Sequence, residues 1–169
     1  MTLLDTPAPD ALPEAVGHAF NTLTGQARMP PLYRQIGNSP GALAAYLGAE
    51  QALQDGALST LDIETVKLVV SGHNRCAFCL KTHRAKAEAA GMSPHDIAAA
   101  LAGNALSDAR LEAIRVACVQ LLGGAELGAA ERRALEAAGF DQAGLVEIAL
   151  AMATISFTNW FNHINHTPP

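Results

Sequence analysis

The sequence predicts an all-α protein, and three observations predict it. Alanine and leucine dominate while β-branched runs are scarce. The apolar spacing is helical throughout, with no strand pattern. Turn signals fall at helix-length intervals.

Residues 1–9 read as a flexible N-terminal arm and residues 10–169 as one helical domain. A first helix is expected over Leu12 to Thr24. Met29-Pro30-Pro31 starts a short helix through Ile36, and Ser39-Pro40 starts another through Leu53, which Gly56 closes. Ser59 with Asp62 resembles a capping box and opens a helix over about residues 60–72. Asn74 is expected to cap the next helix, which carries Cys76 and Cys79 and runs to Ala90, with Gly91 as its terminator. Ser93-Pro94 and Asp96 open a short helix, and Ser107 caps one reaching Leu122. Gly123-Gly124 breaks the chain before a helix from Ala129 to Ala138. The last helix, Ala143 to about Asn165, is the longest and most apolar.

Half of the 169 residues are hydrophobic and 16% are charged, against roughly 25% in an ordinary soluble domain. A lone chain of this composition is short of polar surface, which argues for burying apolar faces between copies in a homo-oligomer. The net charge of −5, with no basic run longer than Arg132-Arg133, argues against a nucleic-acid partner. The N-terminus lacks the basic and apolar regions of a signal peptide. The nearest approach to a membrane span, Ile148 to Phe157, is too short. A cytoplasmic location without a membrane partner is therefore expected. Three cysteines in a reducing compartment make no disulfide framework, so a CxxC there points to redox chemistry or a metal.

Cys76, Cys79 and His83 stand at i, i+3 and i+7. On a helix they fall within an arc of about 60°. Cys79 and His83 are one turn apart, so the imidazole can take the thiol proton directly or through one water. The start of a helix favours a thiolate, and Arg75 adds a formal charge nearby. A thiolate is the reactive form of cysteine, and a second cysteine one turn away can close a disulfide, as a two-electron reductant requires. Glu64 lies on the preceding helix, where a hairpin would bring its carboxylate to His83 to hold or relay a proton.

Other readings weigh less. A structural zinc site would need a fourth ligand, which Glu64 or His73 could supply, but no second CxxC or HxxxH occurs. Haem attachment fails, because Leu80 stands where CxxCH needs histidine. A purely structural cysteine pair rarely arrives with a same-face histidine and an upstream glutamate. Cys118, within Val116-Ala117-Cys118-Val119, reads as a core residue. No metal or cofactor is called for.

The spacing Glu-x11-Cys-x2-Cys-x3-His, set in Asn74-Arg75-Cys76-Ala77-Phe78-Cys79 with His83 and Ala90-Gly91 after it, resembles the alkyl hydroperoxidase D (AhpD)-like branch of the carboxymuconolactone decarboxylase superfamily. Ser39-Pro40, Gly56-Ala57-Leu58-Ser59 and Phe161-Asn162 are similar to that family too, so the likeness covers about residues 30–166. The resemblance implies an all-helical domain assembled as trimers or hexamers. It also implies reduction of a small hydroperoxide by the cysteine pair, which a dithiol or disulfide-reducing donor then recharges. By the same resemblance Cys79 is the attacking thiolate, Cys76 the resolving and more accessible thiol, and Glu64 with His83 the proton relay. Phe78 departs from relatives that carry an extra histidine between the cysteines, which simplifies the relay and leaves the electron donor open. Decarboxylase members generally lack the cysteine pair, so its presence favours the redox branch. The alternatives kept open are a lactone decarboxylase and a non-enzymatic helical module with a zinc or redox-sensing site.

A shift of 83 residues lays Glu64 on Glu147, Phe78 on Phe161, His83 on His166 and Gly56 on Gly139, with Asn159 and Asn162 replacing the two cysteines. That echo reads as a degenerate internal repeat. The alternative is that two core helices share an apolar pattern.

Overall fold

A computed structural model describes residues 2–169 and contains nine α-helices, with no strand among the described residues. They are α1 (Glu14–Thr24), α2 (Pro31–Ile36), α3 (Pro40–Gln54), α4 (Thr60–His73), α5 (Ala77–Ala89), α6 (Pro94–Ala102), α7 (Ala109–Leu122), α8 (Ala129–Ala137) and α9 (Gln142–Ile164). The all-α expectation holds.

The domain is built around α4. Every residue from Asp62 to Ser71 is buried, because α5, α6, α7 and α9 all pack against this helix. A helix enclosed on all sides should be apolar all round, yet α4 carries Asp62, Glu64 and Lys67. Each meets a partner on a different helix. Asp62 takes two hydrogen bonds of 2.9 Å from Arg110 on α7, Glu64 meets His83 on α5 at 2.6 Å, and Lys67 meets Glu50 on α3 at 2.6 Å. An unpaired charge in such a place would cost several kcal/mol. The apolar share comes from Val66, Leu68 and Val70 of α4, packed with Ile114 of α7 and Ile155 of α9. Full burial of each such side chain is worth about 1.5–3 kcal/mol. A second cluster joins Val16, Phe20, Leu43 and Leu47 to Phe157 and Phe161 of α9.

Local chemistry explains where the helices begin. Ser39, Ser59 and Ser93 cap α3, α4 and α6, and the Ser59–Asp62 capping box is reciprocal. Three expectations are corrected. Asp108, not Ser107, caps α7, because its carboxylate reaches the Arg110 and Leu111 N–H groups. Gly56 does not close α3 through a left-handed turn. It is needed because any Cβ there would strike the Glu147 carboxylate, which accepts hydrogen bonds from the Ala57 and Leu58 N–H groups. Asn74 ends α4 instead of capping α5.

The segment read as a flexible arm is tied down at several points. Leu3 and Leu4 donate to Asn165, and the Pro7 and Asp5 carbonyls accept from Arg34 and Asn38. The apolar stretch near the C-terminus, expected to stop at ten residues, belongs to the 23-residue α9. That helix is long and apolar enough by composition to span a membrane, but here it packs on α3, α4 and α5. The 83-residue echo is not carried into the fold. The α4–α5 hairpin turns at 74–76, whereas the corresponding residues 157–159 lie inside the unbroken α9.

Candidate redox site

The site begins at the junction of α4 and α5. The Arg75 N–H donates to the Gly72 carbonyl and the Cys76 N–H to the Ser71 carbonyl, which closes α4 in a Schellman motif. Arg75 occupies the left-handed position of this motif at φ 55°, where glycine is usual. Cys76 therefore ends one helix and starts the next. It lies outside α5 as its N-cap, and its Sγ accepts from the Cys79 N–H at 3.4 Å. The two cysteines form a disulfide with their Cα atoms 5.3 Å apart. Both sulfurs thus sit at the first turn of α5, where unpaired N–H groups favour negative charge. Cys76 is 2% exposed and Cys79 3%, so neither is the more accessible residue.

His83 follows Cys79 by one turn of α5, and its Nδ1 lies 2.6 Å from Glu64 Oε2. Both are buried. Burial pushes the His83 pKa down, beyond what the Glu64 carboxylate restores, so the ring is neutral at pH 7. Burial alone would raise the Glu64 pKa. The hydrogen bond and charge of His83, with Lys67 and Lys86, outweigh it and hold the carboxyl below its usual range. An ionised carboxylate only accepts, so Nδ1 carries the proton and Nε2 is left with a free lone pair. That is the tautomer a base needs.

The four residues singled out from the sequence, Glu64, Cys76, Cys79 and His83, are therefore brought together on one hairpin. A polar seam from α9, whose Asn159 and Asn162 the sequence marks only as echo positions of the cysteines and not as site residues, completes their surroundings. Asn162 Nδ2 reaches Cys79 Sγ at 3.2 Å, Asn159 bridges Ser71 and Asn74, and His163 Nε2 donates to the Asn74 carbonyl at 2.8 Å. Asn159, Asn162 and Asn165 recur at three-residue steps in an otherwise apolar helix, and that was the available signal. Glu50 and Lys67 were also missed. They line, with Glu64 and Lys86, a cavity of about 940 Å³. A second opening of about 390 Å³ leads in beside Cys76, Phe78 and Asn162. Cys118 is fully buried and apart from the pair, and burial pushes its thiol up to about 12. Among the described residues no three of His, Cys, Asp and Glu cluster to hold a metal ion.

Residues 40–109 match the model of the carboxymuconolactone decarboxylase family. No curated sequence matches the chain. Solved structures share the fold along nearly its whole length. An uncharacterized peroxidase-related protein from Ralstonia eutropha JMP134, with an alkylhydroperoxidase AhpD core, superposes with a TM-score of 0.84 at 20% identity, over 99% of this chain and 92% of that one. A peroxidase-related protein from Silicibacter sp. TM1040 gives 0.75 at 24% identity, over 99% and 91%. The debrominase Bmp8, solved in complex with 2,3,4-tribromopyrrole, gives 0.74 at 16% identity, over 96% and 89%.

Proposed function

We propose that the chain belongs to the carboxymuconolactone decarboxylase superfamily, in its AhpD-like branch, and that it is a thiol-dependent peroxidase or disulfide reductase acting on small hydroperoxides. One observation carries this reading. A closed Cys76–Cys79 disulfide sits at a helix start, one turn from a neutral histidine held by a buried carboxylate. A structural disulfide needs no such base beside it.

The cycle starts from the reduced pair. His83 Nε2 takes the Cys79 proton, and Glu64 stabilises the imidazolium that forms. The thiolate attacks the terminal oxygen of the hydroperoxide. A sulfur–oxygen bond forms as the oxygen–oxygen bond breaks, leaving Cys79 as a sulfenic acid. The departing alkoxide takes the proton from His83 and leaves as the alcohol. Cys76 then attacks Cys79 Sγ, and hydroxide leaves with the Cys76 proton as water. An external dithiol returns two electrons and two protons to the disulfide. This cycle suits a reducing compartment.

Hydroperoxide consumption driven by a small dithiol tests the reading. The parent should turn over, Cys79→Ser should not, and Cys76→Ser should complete a single oxidation that leaves Cys79 as sulfenic acid. A parent inert towards several hydroperoxides and donors would overturn it. The chemistry of the fold is not uniform, since it also holds a debrominase. The same assay with the cysteine variants and a halogenated aromatic would expose a reductive role of that kind.

A further inference from the structure

Three asparagines of α9 and its end, Asn159, Asn162 and Asn165, point into the interior and are each no more than 4% exposed. Two of them are satisfied. Asn159 donates to Ser71 and accepts from Asn74, while Asn165 donates to Gln35 and accepts from the Leu4 N–H. Asn162 differs. Its Nδ2 lies 3.2 Å from Cys79 Sγ, and its Oδ1 is buried without any partner. A native core rarely leaves such an oxygen unsatisfied, and Asn162 is one of the residues lining the opening beside Cys76.

From these contacts we infer that Asn162 is a catalytic residue with two duties: Nδ2–H donates to the Cys79 sulfur when it becomes a thiolate, and Oδ1 accepts the O–H of the incoming hydroperoxide. The inference rests on the peroxidase reading and deepens it. A thiolate or disulfide sulfur only accepts hydrogen bonds, so the amide nitrogen is the end that belongs against it. The bond strengthens when the sulfur is charged. An oxygen acceptor at the same residue would set the O–H oxygen of the peroxide in line with the sulfur. When the sulfur–oxygen bond forms and the oxygen–oxygen bond breaks, that hydrogen stays on the sulfenic acid, and the alkoxide takes the proton from His83. The titratable and charged groups on the elements packed around this sulfur are Arg75 before α5, His83 and Lys86 on α5, Glu64 and Lys67 on α4, and His163 on α9, so the test must change Asn162 alone.

The test uses reduced full-length protein carrying Cys76→Ser, in which only Cys79 reports, because Cys118 is buried. The rate of alkylation by iodoacetamide is followed against pH, and oxidation by cumene hydroperoxide is followed beside it. In Asn162→Leu the alkylation midpoint should rise, and in Asn162→Asp, where a carboxylate faces the sulfur, it should rise further. At a pH where the thiol is fully ionised, Asn162→Leu should alkylate like the parent yet oxidise about 10²-fold more slowly, the low end for a lost preorganised contact. A merely structural role would not split the two reagents. Should the leucine variant fail to fold, Asn162→Ala, which removes both the donor and the acceptor without adding charge, decides in the same two assays. Midpoints unmoved in a chain that consumes hydroperoxide overturn the inference. Midpoints that move in a chain that does not consume it uphold the donor role and overturn the peroxidase reading.

Discussion

Glu64 Oε2 lies 2.6 Å from His83 Nδ1 across the α4–α5 hairpin, and both groups are held in their pH 7 forms by the fold rather than by solvent. The consequence is acid sensitivity. The His83 pKa in the fold lies below its ordinary 6.5, so as pH falls through 6.5 the unfolded chain takes up a proton that the folded chain refuses. Stability must then drop with acid. The Glu64 pKa is also lowered, so its contribution is present above its ordinary 4.5 and is lost as pH falls below that value. Denaturant midpoints should therefore decline from pH 7.5 to 5 and decline again below about 4.5. In His83→Gln the first decline should flatten, and the second should shrink, because His83 supplies the largest of the effects that hold the Glu64 carboxyl down. A parent curve level between pH 7.5 and 5 would contradict this.

The relay should also be visible in rate. General-base assistance is worth about 10²- to 10⁴-fold, so His83→Ala and Glu64→Gln should each slow hydroperoxide turnover without unfolding the chain. If the pair works as one unit, the double variant will be little slower than the slower single variant. Steady-state rates across pH 5 to 9 check this, and parent-like rates in both single variants would exclude the relay.

Arg75 sits at a left-handed φ of 55° that glycine adopts without steric cost. Arg75→Gly should relieve strain of about 1 kcal/mol, offset in part by the added freedom of glycine in the unfolded chain. The same change removes a positive charge next to Cys76. A thermal melt should show equal or greater stability, while thiol alkylation at pH 7 should slow. A loss of stability would mean that the guanidinium, rather than the backbone, matters at this turn.

Thiol counting offers a direct check on the third cysteine. With its pKa near 12 and its side chain enclosed, Cys118 should be unreactive in the native state. Reduced native protein should take up two equivalents of iodoacetamide quickly and the third only in denaturant. Mild peroxide should remove two hydrogens from the peptide holding residues 76–79 and none from that holding Cys118.

The outer face of α9 bears on assembly. Val146, Trp160 and Ile164 are 70%, 61% and 60% exposed and share one side of the helix, with Ala149 and Ala153 exposed between them. Glu147, the acidic residue of that helix, is turned away to serve the Ala57 and Leu58 N–H groups. A stripe like this suits burial between copies in a homo-oligomer, and trimers or hexamers are the forms that the family resemblance implies. Light scattering should give a mass well above one chain of 17.6 kDa. Trp160→Glu should lower that mass, and a monomer across a wide concentration range would rule the interface out.

The sequence made parts of this legible for identifiable reasons. Ser39-Pro40, Ser59 and Ser93-Pro94 announce helix starts because a cap and its helix are neighbours in the chain. The site's core was readable for a similar reason, since Glu64 and His83 meet across one short hairpin. Reading failed where two caps competed, as at Ser107 and Asp108, and where the cap was an unusual residue, as at Cys76. It failed most clearly for Asn162, which arrives at Cys79 from 83 residues away. Docking of α9 on the hairpin decides that contact, and no local spacing encodes it. The same holds for Lys67, whose partner Glu50 lies on another helix.

The charges on α4 reach beyond the site. Asp62, Glu64 and Lys67 lean on α7, α5 and α3 respectively, so the removal of any one of these helices strands a charge inside the molecule. Partly assembled forms are thereby penalised more heavily than their missing apolar contacts alone would require. Unfolding should accordingly be all-or-none, with the redox hairpin and the distant α7 melting together. Nicked or truncated fragments that still contain α4 should not persist as smaller folded units.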